Sequence, residues 1–130
     1  MLKRVFLFAL SALFAMNAAA QLATQKDSAN GVTVAVTPAI IAADAKLWEF
    51  KVVLDTHSQD LSDDLARSAV LTDGKGKEFK AIGWEGAAPG GHHRAGVLKF
   101  DAIAPRPQVV ELRINRAGEP KARAFRWDLR

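Results

Sequence analysis

The sequence predicts an all-β chain, and three observations carry that prediction. Apolar and polar residues alternate with period two over several short stretches. Turns bearing glycine or proline separate those stretches, and no long helix is in prospect to cover a parallel sheet. The 130 residues are 49% hydrophobic and 25% charged, the balance of a globular domain, and none is cysteine. A disulfide framework, a thiolate nucleophile, a thiolate zinc site and a lipidated cysteine anchor are thereby excluded.

Ahead of the first strand, residues 1–20 have the form of an export signal. Lys3 and Arg4 supply the positive start, 5–15 is an uncharged apolar run, and Ala18, Ala19 and Ala20 offer small residues for cleavage. Cleavage is expected between Ala20 and Gln21, giving a periplasmic or secreted product. The uncharged stretch 5–20 is short for a bilayer span, so stable membrane insertion is not expected. Residues 21–130 hold 16 basic and 14 acidic side chains and neither cysteine nor methionine, which excludes a blue-copper centre and a methionine-type Cu(I) site. Within them, 21–30 is polar and small and is expected to be a disordered lead, with one domain over 31–130.

Val32, Val34 and Val36 alternate with Thr33, Ala35 and Thr37 until Pro38 ends the run. Trp48, Phe50, Val52 and Leu54 alternate with Glu49, Lys51, Val53 and Asp55, the clearest period-two segment of the chain. Segments 68–72 and 78–84 flank Asp73-Gly74-Lys75-Gly76-Lys77, a hairpin turn with two glycines available for positive φ. That turn is no calcium loop, because Lys75 and Lys77 stand where oxygen ligands would be required.

A further apolar run covers 97–100, and Val110, Leu112 and Ile114 alternate with Glu111 and Arg113. Ala117-Gly118-Glu119-Pro120 makes the next turn, after which Phe125, Trp127 and Leu129 share one face. Segment 61–70 fits either a short helix, capped by Ser62 with Asp63 and Asp64 in its first turn, or a bulged edge strand. About seven strands at this spacing predict a single antiparallel β-sandwich of the immunoglobulin or fibronectin type III kind. Its core would rest on Trp48, Phe50, Leu54, Phe100, Leu112 and Phe125.

Three stretches, WEFKVVLDTHS (48–58), WEGAAPGGHHR (84–94) and GVLKF (96–100), resemble a group of small exported bacterial proteins of unassigned function. The resemblance covers most of the chain after the signal. It implies export and an immunoglobulin-like sandwich, and it implies no catalytic residue.

The residues with the most chemistry are His57, just past the second strand, and the pair His92-His93 in loop 85–95. Counting strand directions places both at the same end, provided 60–65 is not a strand of its own. Imidazole suits Cu(II) and Zn(II), and Asp55, Asp60 or Glu85 could add an oxygen ligand, although adjacent histidines do not form a spaced metal motif. The loop's glycines and Pro89 suit a binding loop or a loose linker equally. Trp84, Glu85 and Arg94 flank it as contact residues, although a tryptophan in a small sandwich is more often part of the core.

Enzyme readings fare poorly. Asp55, His57 and Ser58 include the residue types of a hydrolase triad, but neighbours on a strand point to opposite faces and Ser58 lacks a glycine-flanked elbow. Asp63 and Asp64 look like a solvated turn rather than an acid and a base flanking a substrate. Segment 99–130 has eight basic and four acidic residues, among them Arg113, Arg116, Lys121, Arg123 and Arg126. Without stacking or groove-reading motifs these are expected on a solvated strand face, not on nucleic acid. The expected function is a non-catalytic module that presents loops 56–67 and 85–95 to a protein or other ligand of the cell envelope. The alternative is a periplasmic Cu(II)- or Zn(II)-binding protein using His57, His92 and His93.

Overall fold

Each stretch of alternating side chains becomes a strand with one buried face. A computed structural model describes residues 22–130, and the export signal expected at 1–20 lies outside the described residues. The strands are β1 Gln25–Ala29, β2 Val32–Ile40, β3 Leu47–Thr56, β4 Ala69–Thr72, β5 Glu78–Lys80, β6 Gly83–Gly86, β7 His93–Asp101, β8 Val109–Ile114 and β9 Arg123–Asp128. One helical turn, α1 Leu65–Ser68, precedes β4. They form two antiparallel sheets, in the orders β1-β2-β3-β7-β6 and β5-β4-β8-β9.

The two sheets share one core. Trp48, Phe50, Val52 and Leu54 of β3 lie buried with Leu98 and Phe100 of β7, and Leu71, Leu112, Ile114, Phe125 and Trp127 come from the second sheet. Every core residue expected from the sequence is among them. The Phe50 ring meets Phe100 edge-on at 5.7 Å between centroids and Trp127 of the other sheet at 5.8 Å. One aromatic side chain thus ties the sheets together, in the offset geometry that ring quadrupoles favour.

Nine strands are described where about seven were expected, for two reasons. Residues 25–29, expected as part of a disordered lead, form β1, in register with β2 from Gln25↔Val36 to Ala29↔Val32. An edge strand needs only backbone pairing on one side, so its polar composition is no obstacle. Asn30 and Gly31, at φ 51° and 74°, make the left-handed turn that joins it to β2. Cross-sheet contacts fix β1 further. Gln25 exchanges side-chain hydrogen bonds with the backbone of Arg126, and Trp127 Nε1 donates to the Ala23 carbonyl at 2.8 Å. The second reason is that 78–84 divides, giving β5 to one sheet and β6 to the other.

Segment 61–70 contains the short helix, but its cap is Asp64 and not Ser62. The Asp64 carboxylate accepts from Arg67 N at 3.3 Å, and β4 begins straight after. In the β4–β5 turn, Gly74 and Gly76 take positive φ. The Asp73 carboxylate accepts from Lys75 N at 2.8 Å and Lys77 N at 3.1 Å, and the first of these bonds, chiefly, holds it below the usual carboxylate pKa. Among the described residues no helix is long and apolar enough to cross a membrane.

Strand directions sort the connections into two ends. The loop end gathers the β1–β2 turn, 57–64, 87–92 and the β8–β9 turn. The opposite end gathers 41–46, the β4–β5 turn, 102–108 and the residues after β9.

Candidate functional site at the loop end

The β3–β7 register pairs Asp55 with His93 and Leu54 with Arg94, which brings His57 and His92-His93 to one end, as strand counting predicts. The two loops are then bonded to each other. Thr56 N donates to His92 O at 2.9 Å, Leu61 N to Gly91 O at 3.0 Å and Gly90 N to Leu61 O at 2.8 Å. Gly91 N reaches the Asp60 carboxylate at 2.8 Å, and positive φ at Gly90 and Gly91 lets the chain turn there. On the other side, Thr56 Oγ1 donates to Gly31 O at 2.8 Å and Gln59 Nε2 donates to Asn30 O. The glycine-rich segment is therefore a braced loop and not a loose linker.

His93 Nδ1 lies 2.5 Å from Asp55 Oδ1, and the two side chains are 64% and 55% exposed. His57 and His92 are exposed as well. Among the described residues no group of three or more His, Asp or Glu side chains is placed to hold a metal ion. The histidines proposed for Cu(II) or Zn(II) share an end without converging on one point.

The expected contact residues divide. Glu85 is exposed and pairs with Lys99 at 2.9 Å, and this hydrogen bond is the main cause of the raised Lys99 pKa. Trp84 is half-buried and lies across Gly96, where a Cβ would stand 2.5 Å from its ring, and its Nε1 donates to Ala87 O at 3.0 Å. Arg94 does not face a partner at all, being only 1% exposed. Its guanidinium lies 5.7 Å from the Trp84 ring centre. It donates to Asp63 O at 2.7 Å, Leu61 O at 3.1 Å and Ala87 O at 3.3 Å, while Nε has no partner. Three carbonyls, rather than a carboxylate, meet this charge, so Arg94 clamps the two loops from inside.

Lys121 and Arg126 are exposed and Arg113 partly so, as expected of a solvated face, but a second brace corrects that expectation at Arg116 and Arg123, and the expectation of a solvated turn at Asp63. Asp63, Arg116, Glu119 and Arg123 have side chains 4%, 7%, 7% and 3% exposed. Asp63 takes two bonds from Arg116, at 2.8 and 3.0 Å, and Glu119 links Arg116 at 2.9 Å to Arg123 at 2.8 Å. Arg123 continues to the carbonyls of Asp27, Ala29 and Val32 at the β1–β2 turn. The Arg123 hydrogen bond, above all, holds Glu119 below its ordinary pKa against the opposing effect of burial. Burial alone would lower the pKa of Arg116, but the bonds and charge of Asp63, with help from Glu119, raise it.

Each buried arginine has a sequence signal. Counting in twos from Phe100 and Leu98 passes Gly96 and lands on Arg94; from Leu112 and Ile114 it lands on Arg116; from Trp127 and Phe125 it lands on Arg123.

What fold and site define is an all-β chain of two antiparallel sheets with one end braced by buried arginines. Compared with protein-family models, with curated proteins and with solved structures, the chain matches none.

Proposed function

We propose that this chain is an exported, non-catalytic module of the immunoglobulin or fibronectin type III kind that presents loops 56–67 and 85–95 to a protein of the cell envelope. The strand order supports the fold assignment: with β1 set aside, β2-β3-β7-β6 and β5-β4-β8-β9 correspond to the A-B-E-D and C′-C-F-G sheets of that architecture. The observation that carries the functional reading is the hydrogen bonding between the two loops, which holds their backbones in one arrangement before any partner arrives. A surface ordered in advance loses less conformational freedom on binding. His57, Glu85 and His92 are its outward groups. The Asp55–His93 pair lies open to water, unlike the enclosed, preorganised charges that do catalytic work, which favours recognition over chemistry.

Site-specific photocrosslinking in cells that export the chain tests this reading. Probes at positions 57 and 92 are expected to give one discrete adduct of the same mass, and a probe at position 75, on the opposite end, none. Equal adducts from all three positions, or none from any, would overturn it.

A further inference from the structure

We infer that the end opposite the loops carries a cleft for a small amphiphilic carboxylate, an acyl chain with one anionic head. The cleft has a volume of about 570 Å³, within the range typical of small-molecule sites, and Leu22, Pro38, Ile40, Ile41 and Leu129 give it apolar walls. Ile40, 44% exposed, leaves its aliphatic side chain open to the cleft.

The charge within the cleft selects the ligand's head. Arg106 is held there by two backbone carbonyls, Nε donating to Ile41 O at 3.1 Å and Nη1 to Leu129 O at 2.6 Å. Neither acceptor neutralises it, no carboxylate pairs with it among the described residues, and its Nη2 makes no hydrogen bond there. The one acidic side chain in the lining, Asp128, is engaged by Arg130 through bonds of 2.9, 3.1 and 2.8 Å. One guanidinium is therefore fixed and unmatched beside an apolar wall. A neutral ligand would leave it unmatched and a cation would be repelled. A carboxylate can take a charge-assisted hydrogen bond from Nη2 while its chain covers Ile40 and Leu129.

This inference concerns the other end of the molecule, so its failure would leave the loop-end reading intact. Calorimetric titration of the exported form with decanoate, below its micelle concentration, is expected to show one ligand per chain. Decanol, with the same tail and no charge, should bind at least ten-fold more weakly, and Arg106→Gln should bring decanoate down to the level of decanol. Arg106 also supports the backbone, so Ile40→Trp provides a second variant: it fills the cleft from an exposed position without touching the Arg106 bonds. It should weaken decanoate at least ten-fold while leaving the melting curve unchanged. No saturable binding, equal binding of decanoate and decanol, or unchanged binding by a folded Ile40→Trp would overturn the proposal.

Discussion

Arginine serves the two ends of this molecule in opposite ways. At the loop end, Arg116 and Arg123 are spent on Asp63 and Glu119, and Arg94 on three carbonyls, in a site closed to water. At the cleft end, Arg106 also grips backbone carbonyls, but it stands exposed and without a counter-charge. A guanidinium surrounded by internal acceptors becomes a structural tie. The same group at the mouth of an apolar hollow keeps donor capacity for something else.

The largest test of that contrast removes a tie. Arg116→Ala would strand the nearly buried Asp63 and leave Glu119 to Arg123 alone, and is expected to cost about 3–5 kcal/mol, the usual penalty for breaking a buried pair from one side. Urea denaturation measures it, and an unchanged midpoint would mean that the network does not brace the loop end.

Acid should probe the same tie more gently. The folded chain holds Glu119 below its ordinary pKa of 4.5, so its contribution is fully present above that value and disappears as pH falls through the lower, folded pKa. Chemical denaturation between pH 6 and pH 2 should show this loss. Glu119→Gln should be less stable than the parent at pH 6 and should flatten that part of the profile. A parallel profile would show that another carboxylate governs the acid limb.

At the cleft end the effects should shrink. Arg106→Gln loses hydrogen bonds at an exposed site and is expected to cost about 1 kcal/mol in the same urea assay. A cost as large as that of Arg116→Ala would erase the distinction between the two ends. Asp128 is held at a pKa of about 2, chiefly by the side-chain hydrogen bond from Arg130, but the pair is open to water. Asp128→Asn should therefore leave the thermal midpoint in place, as expected of a surface ion pair.

Where side chains alternate by polarity, the strands and their faces were legible, as in β2, β3, β8 and β9. The placement of His57 and His92-His93 at one end followed from strand direction alone, and it survived the division of 78–84 because β5 and β6 run in the same direction, each antiparallel to its sheet neighbour. The buried charges were not legible because a charged side chain ordinarily faces solvent. Arg94, Arg116, Arg123 and Asp63 all continue the inward register of apolar neighbours, Asp63 between Leu61 and Leu65. Burial was possible because each had acceptors or donors arriving from distant segments, which no local window contains. β1 escaped notice for a related reason, since its fixing partners Arg126 and Trp127 are about a hundred residues away in the chain. At the cleft, Arg106 and Ile40 are brought together only by the folded loops.

The seam that β1 makes with β9 has a consequence for the order of assembly. Translation delivers β1 before β9, so β1 can pair with β2 at once but must wait for β9 before its bonds to the other sheet can form. Closing contacts of such long sequence separation form slowly. Until they form, β1 is held by β2 alone and the carbonyls that Arg123 takes up stay open to water. A nascent copy halted before β9 would hold β1 by β2 alone, without the side-chain ties that join the two sheets along that edge.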